Sequence, residues 1–478
     1  MYQLSTLLRA TIIALLVVVR GINCSPVSGL QMKVGPSGIR HGHWVAAWAS
    51  MPQLTEPTNL PPRPFVGAAT LPYPKKTLGW LPAEIVPTQN ETGRVFFNST
   101  IRQTLHMSIG SDMIRVRISN AFGAADLPIT AVTVALPGLG KRGGTGASTI
   151  REETLQALTF SGSQNYTIPS GALAVSDPIN FRIKPESVLT ISIYLADGQK
   201  TNFLTSHPDS LTTSHLALGN YISAQDLANT STQSVGHWYF VSAVEAWAPP
   251  SSKAFVIIGD SITDGTGSDT DMNNRWPDRL LHKMRETGFP SQIAVISQAA
   301  NGNRLLNDGR GPNALSRIDR DVISLSGVAY AMVFEGVNDI GNAPATTQAQ
   351  VAVAERIISA YKQIITRIHS KEIPVFGATI APFMAPNPKL QHYSEPARNM
   401  ARQKVNTWIR TSGAFDAVVD FDMILADPKN PDRLLPRYDS VDYLHPSVAG
   451  YQAMADAFPL NIFLEFENGT NSFSRKKP

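Results

Sequence analysis

The run Ala254-Phe255-Val256-Ile257-Ile258, followed at once by Gly259-Asp260-Ser261-Ile262-Thr263-Asp264-Gly265, decides how this chain folds. Five apolar residues without alternation read as a strand buried on both faces, the habit of a parallel sheet covered by helices. Comparable runs recur at Ile293 to Ile296, Val328 to Phe334, Pro374 to Ile380 and Ala417 to Val419. Helical stretches lie between them. The clearest runs from Gln348 to Ile368, where Val351, Ala354, Ile358, Tyr361, Ile365 and Ile368 repeat at three- and four-residue spacing and predict one apolar face. Strand alternating with helix predicts an α/β domain over residues 254–465, a three-layer αβα arrangement around a parallel sheet.

Toward the N-terminus the period changes. Arg115-Val116-Arg117-Ile118-Ser119 and Leu189-Thr190-Ile191-Ser192-Ile193-Tyr194-Leu195 alternate, and Ala131-Val132-Thr133-Val134-Ala135 is a third β-rich run. Turn residues punctuate them at Pro137-Gly138, Gly143-Gly144 and Asp197-Gly198. One apolar face per strand predicts an all-β sandwich over residues 43–248, joined to the α/β domain by a linker at 249–253 around Pro249-Pro250-Ser251-Ser252. Residues 466–478 read as a flexible tail.

The first residues read as an export signal. Met1 to Arg9 is polar with one basic residue, and Ala10 to Val19 is apolar apart from Thr11. This predicts a signal peptide within residues 1–25, cut after Gly21 or near Ser25, with an uncleaved anchor as the alternative. The cut decides whether Cys24 survives. Sequons at Asn90, Asn98, Asn165, Asn229 and Asn468 agree with a glycosylated, extracellular product. With 43 % apolar and only 16 % charged residues, the 478-residue chain has material for two cores and is not a disordered one. The net charge of +4 is spread out, with no basic cluster before Arg475-Lys476-Lys477, so no nucleic-acid partner is expected. A single cysteine excludes a disulfide framework and a Cys-based zinc site. His-Glu-x-x-His is absent, and neither a metal nor another cofactor is expected. No later stretch approaches the length of a membrane span.

In open parallel sheets functional residues collect at the carboxyl ends of strands. Here those ends carry Gly259-Asp260-Ser261, then Asn301-Gly302-Asn303-Arg304, then Gly336-Val337-Asn338-Asp339, and near the C-terminus stands Asp442-Tyr443-Leu444-His445-Pro446. A serine needs a base to become a nucleophile. His445 can serve, and Asp442, three residues earlier, can reach its Nδ1–H if the segment is a loop entering a helix. The Ser261 N–H, the Gly302 N–H and the Asn338 amide are the candidate donors to an oxyanion. Gly-x-Ser-x-Gly occurs nowhere, which disfavours a nucleophile-elbow hydrolase.

These groups, in this order, resemble the SGNH superfamily of serine hydrolases, the GDSL-type esterases and lipases, over roughly Ser252 to Leu464. Asn303-Arg304-Leu305-Leu306-Asn307-Asp308-Gly309 and Phe334-Glu335-Gly336-Val337-Asn338-Asp339-Ile340-Gly341 look most like a secreted two-domain subgroup. Trp44-Val45-Ala46-Ala47-Trp48-Ala49-Ser50 and Ser119-Asn120-Ala121-Phe122-Gly123 are similar to that subgroup's N-terminal β-rich domain. The resemblance implies Ser261 as nucleophile, Gly302 and Asn338 as oxyanion donors, Asp442 as orienting acid and His445 as base, with ester hydrolysis through an acyl-enzyme and no metal. One departure stands out: Asn301 occupies a place where such proteins often carry a glycine, and Asn tolerates left-handed backbone better than most residues.

Other residues divide between chemistry and structure. Arg304 either binds an acidic substrate group or pairs with Asp308 or Asp339. Asp260 and Asp264 read as turn caps, and Trp276 as core. His41 and His43 read as surface residues. Of the ten histidines only His445 has a partner at useful spacing in the sequence. Trp44, Trp48, Trp238 and Trp247 form either an exposed sugar-stacking face or sandwich core, and core is the preferred reading. The expectation is a secreted serine esterase acting on an acetylated carbohydrate or a small acyl ester. The alternatives are a lipase or lysophospholipase acting on lipid esters, and a non-catalytic extracellular carbohydrate-binding protein.

Overall fold

The computed structural model describes residues 41–66, 94–138, 143–288 and 292–470. The leader, Cys24 and the Asn90 sequon lie outside the described residues. Five strands, Ile293–Ala299, Lys253–Gly259, Val328–Phe334, Val375–Ala378 and Ala417–Val419, stand side by side in that order. Every neighbouring pair is parallel. The chain lays down its first strand one place in from an edge, the second outside it at that edge and the rest on the other side. The order therefore reverses beside the carboxyl end of Lys253–Gly259, where a crevice opens in such sheets.

The unbroken apolar strand has its physical explanation in the two cores. Ala254, Val256 and Ile258 pack with Val353, Ile357 and Ile364 on one face, while Phe255 and Ile257 pack with Trp276, Leu280 and Tyr451 on the other. The long helix spans Thr347–His369 and is capped by Thr346, whose side chain accepts from Ala349 N. Four residues of the expected stripe, Ala354, Tyr361, Ile365 and Ile368, are buried, and the buried face is broader than that stripe. Val353, Ile357, Ala360, Ile364 and Ile368 are buried, whereas Val351 is 42 % exposed and Ile358 is half-buried. The buried face takes in Val353, Ile357, Ala360 and Ile364 beside the expected residues, and Val351 and Ile358 fall toward its edge.

The N-terminal half is built from antiparallel sheets. One runs Gln233–Val235, Ser214–Leu218, Ser99–His106, Val188–Leu195, Ala131–Ala135, Gln156–Ala157. The other runs His43–Ala49, Val241–Ala248, Ser111–Ser119, Ile179–Ile183, so the first and last strands of this half pair, His43 opposite Ala248. Ile101, Ile191 and Ile193 from the first sheet and Val116, Ile118 and Val244 from the second share one core. A small sheet of Trp238–Tyr239, Thr205–His207 and Gln53–Leu54 completes it. Trp48 and Trp238 are buried and pack edge to face, and Trp44 and Trp247 are half-buried against each other. These rings are packing, not a sugar platform.

Both halves belong to one compact unit. Ala46 N donates to Ser326 O at 2.9 Å, and Val295 N donates to Ser108 Oγ at 2.7 Å. Glu245, fully buried, takes the guanidinium groups of Arg115 and Arg117 and the Ser326 hydroxyl. The expected tail is packed at its start: Phe466 lies in the second core and Thr470 N donates to Glu372 O.

Candidate active site

Gly259 ends the strand Lys253–Gly259, and a one-turn helix, Ser261–Asp264, starts directly after Asp260. Asp260 caps that turn, accepting from Ile262 N at 3.0 Å, as its place predicts. Ser261 Oγ stands 2.8 Å from His445 Nε2. His445 Nδ1 stands 2.5 Å from Asp442 Oδ2. The Asp442–His445 stretch is a loop held tight by its own carboxylate: Asp442 Oδ1 accepts the backbone N–H groups of Leu444 at 2.9 Å and His445 at 2.8 Å. The chain then enters the helix Val448–Ala457 through a Ser447 cap. Burial alone would raise the Asp442 pKa, but the imidazole hydrogen bond, the imidazolium charge and the two N–H donors outweigh it and hold the group at about 2. An ionised Asp442 fixes the tautomer that leaves His445 Nε2 free to take a proton.

Among the described residues no acceptor takes the N–H of Ser261 or of Gly302. Gly302 sits at φ 70°, and a Cβ there would lie 2.9 Å from Arg310 Cδ, so this turn requires glycine. Asn301, expected to bear left-handed geometry, has an ordinary backbone: the positive φ falls on Gly302. Asn338 is oriented from both ends. Its Oδ1 accepts from Tyr393 OH at 2.9 Å and its Nδ2 donates to Asn303 O at 2.9 Å, leaving one amide hydrogen unused. Buried Arg317 braces the same loop through Asn303 Oδ1 at 2.9 Å and Gln298 O at 2.7 Å. Neither Tyr393 nor Arg317 carries a sequence signal for this role, because each meets the site only through folding.

Three buried carboxyls, Asp260, Asp339 and Glu335, influence one another. Burial pushes Asp260 up to about 7, against the Ile262 N–H and the His445 charge, with Asp339 adding to the rise. Burial pushes Asp339 up to about 6, against hydrogen bonds from Leu305 N and Leu306 N. Glu335 is raised well above the carboxylate range by burial and by Asp260, although Arg317 opposes this from 3.8 Å.

Asp264 is not a turn cap: its Oδ1 meets His207 Nε2 at 3.0 Å and its Oδ2 accepts Asn301 N at 3.0 Å. Arg304 pairs with neither expected carboxylate and donates instead to the backbone oxygen of Asp308. Trp276 is core, with its indole N–H on Thr263 Oγ1 at 3.2 Å. His41 is exposed and His43 donates to Ser252 O. His445 is not alone in having a carboxylate neighbour. His282 meets Glu286 one helical turn on, a spacing the sequence displays, while His207–Asp264 and His369–Asp416 form only in the fold. Asn98, Asn165 and Asn468 are exposed, whereas Asn229 has its amide nitrogen buried. Among the described residues no three His, Cys, Asp or Glu side chains gather as a metal site.

A hydroxyl, an imidazole and a carboxylate in line at the switch point of a parallel sheet define a serine hydrolase. Residues 257–453 match the family model of the GDSL-like lipase/acylhydrolase family, and this part of the chain is such a domain. Similar solved structures include a GDSL-like lipase from Bacteroides thetaiotaomicron (20% identity, 45% of this chain and 88% of that one, TM-score 0.32). A carbohydrate acetylesterase family member from Sinorhizobium meliloti is 15% identical over 44% of this chain and 98% of its own, with a TM-score of 0.34. An aryl esterase of M. smegmatis is 14% identical over 45% and 99%, also at 0.34. No curated protein matches the chain.

Proposed function

We propose that the protein is a secreted, glycosylated esterase in which Ser261 attacks the ester carbonyl, His445 takes and returns the proton, and Asp442 orients the imidazole. The observation that carries this reading is the 2.8 Å approach of Ser261 Oγ to His445 Nε2, completed by the 2.5 Å contact to Asp442. The Ser261 and Gly302 N–H groups and the spare Asn338 amide hydrogen receive the oxyanion. The acyl-enzyme that forms is hydrolysed by water, with His445 as base again. Beside Asp339 a groove of about 340 Å³ has Arg304, Asn307, Asn342 and Arg356 among its walls, with Ala343, Pro344 and Val353 supplying apolar lining. The two arginine and two asparagine side chains can hydrogen-bond sugar hydroxyls, which supports an acetylated carbohydrate or a small acyl ester. A lipid ester is the second reading, favoured by Val441, 86 % exposed next to Asp442, and Leu390, 56 % exposed next to Gln391, which donates to Asp442 O. Among the described residues no helix is long and apolar enough to cross a membrane.

Ser261→Ala abolishes hydrolysis of p-nitrophenyl acetate and labelling by a fluorophosphonate, with an unchanged far-UV spectrum. Full turnover in that variant would sink the assignment. Acetylated xylan, lysophospholipid and p-nitrophenyl esters of rising chain length, run side by side, separate the two substrate readings. Glycosidase treatment of secreted protein tests the sequons.

A further inference from the structure

The structure assigns the N-terminal β half a part in catalysis: we propose that His207 and Asp209 are positioning residues that hold the oxyanion loop of the α/β half through Asp264 and Asn301. This rests on the catalytic reading of Ser261 and Gly302 given above.

His207 ends the short strand Thr205–His207, far from the hydrolase motifs in sequence. It is 3% exposed, and Asp264 is 2% exposed. Both ring nitrogens face oxygen acceptors, Nδ1 on Met51 O at 3.0 Å and Nε2 on Asp264 Oδ1 at 3.0 Å. Only the doubly protonated ring donates to both. The Trp238 ring stacks on it at 5.5 Å, Arg275 is the cation beside it, and burial lowers the pKa of neighbouring His237. A buried carboxylate needs such a partner to stay charged. The other oxygen of Asp264 takes Asn301 N at 3.0 Å. The Asn301 side chain is held independently, its Nδ2 donating to Asp209 Oδ2 at 3.0 Å. The next residue is Gly302, whose N–H is a proposed oxyanion donor. Two residues of the β half thus pin both the backbone and the side chain of the position before that donor. The asparagine at 301 gains a reason: a glycine there would have no side chain for Asp209 to hold.

A misplaced donor loses transition-state stabilisation while substrate binding persists. The test measures kcat and KM on p-nitrophenyl acetate, with kcat expressed per serine titrated by a fluorophosphonate. A general loss of structure lowers the titrated fraction, whereas a displaced donor lowers kcat per titrated site. His207→Ala is expected to lower that kcat on the order of 10- to 100-fold with KM unchanged. His207→Gln, which still donates to Asp264, recovers part of the loss. Should His207→Ala fail to fold, Asp209→Ala and Asn301→Ala, at half-buried positions, are each expected to lower kcat per site, and the double variant no further. His282→Ala, which breaks a different contact across the same boundary, to Glu186, leaves kcat unchanged. Wild-type kcat per titrated serine in folded His207→Ala, or in both Asp209→Ala and Asn301→Ala, overturns the proposal. Absence of fluorophosphonate labelling in the wild-type protein overturns the catalytic reading itself.

Discussion

At the scale of single residues the site sets charges against one another. Asp442 is kept ionised by donors aimed at it, while Asp260 and Asp339, a few residues from the reaction centre in sequence, are pushed the other way by burial. The consequences for stability have opposite signs. A carboxyl whose folded pKa is raised makes the native state bind protons that the unfolded chain, titrating near about 3.9, has released. The contribution of Asp260 is therefore fully present below about pH 4 and lost as pH rises toward about 7. Asp442 contributes above the ordinary carboxylate range, and its contribution is lost only as pH falls toward about 2, outside that window. Asp260→Asn keeps an acceptor for Ile262 N and removes the titration, so its melting temperature is expected to vary less than wild type between about pH 4 and 7. Thermal melts across that range check this; an unchanged slope would place the proton uptake elsewhere.

At the scale of elements, the helix Thr347–His369 shows how far periodicity carries. Its existence, its length and four of its six expected core residues, Ala354, Tyr361, Ile365 and Ile368, followed from the spacing of its apolar residues, but the buried face also takes in Ile357 and Ile364 and leaves Val351 exposed. Ile364→Ala, at a fully buried position, is expected to cost about 2–5 kcal/mol. Val351→Ala, on the exposed side, stays within about 0.5 kcal/mol. Urea unfolding of both variants distinguishes them, and equal costs would contradict the burial pattern. The loops at the strand ends follow the same division. Local chemistry announced Asp260 as a cap and Asp442 as the partner of His445, because each bonds within three residues. Tyr393 and Arg317 bond to groups 55 and 14 positions away, and no local pattern marks them.

At the scale of the molecule, the two halves read from the sequence as separate domains share more than a linker. Strand His43–Ala49 reaches Ser326, Glu245 gathers cations inside the boundary, and one apolar cluster runs from Ile101 and Val116 to Val256 and Ile364. Common burial couples unfolding, so the full chain is expected to melt in a single calorimetric transition with equal calorimetric and van't Hoff enthalpies. Two resolved transitions would show that the halves fold independently.

Residue order alone determined that this chain contains a covered parallel sheet with polar groups at its strand ends, because unbroken apolar runs can be buried only between two layers and turn chemistry is written in neighbouring residues. It also determined which serine, histidine and aspartate to watch. Only the tertiary structure decided how far the buried helix face extends, that Asp264 serves a loop rather than a cap, and that His207 and Asp209 stand beside Asn301. Those facts depend on contacts between segments dozens to hundreds of residues apart. Such contacts are selected by how whole faces pack, and no spacing along the chain encodes them.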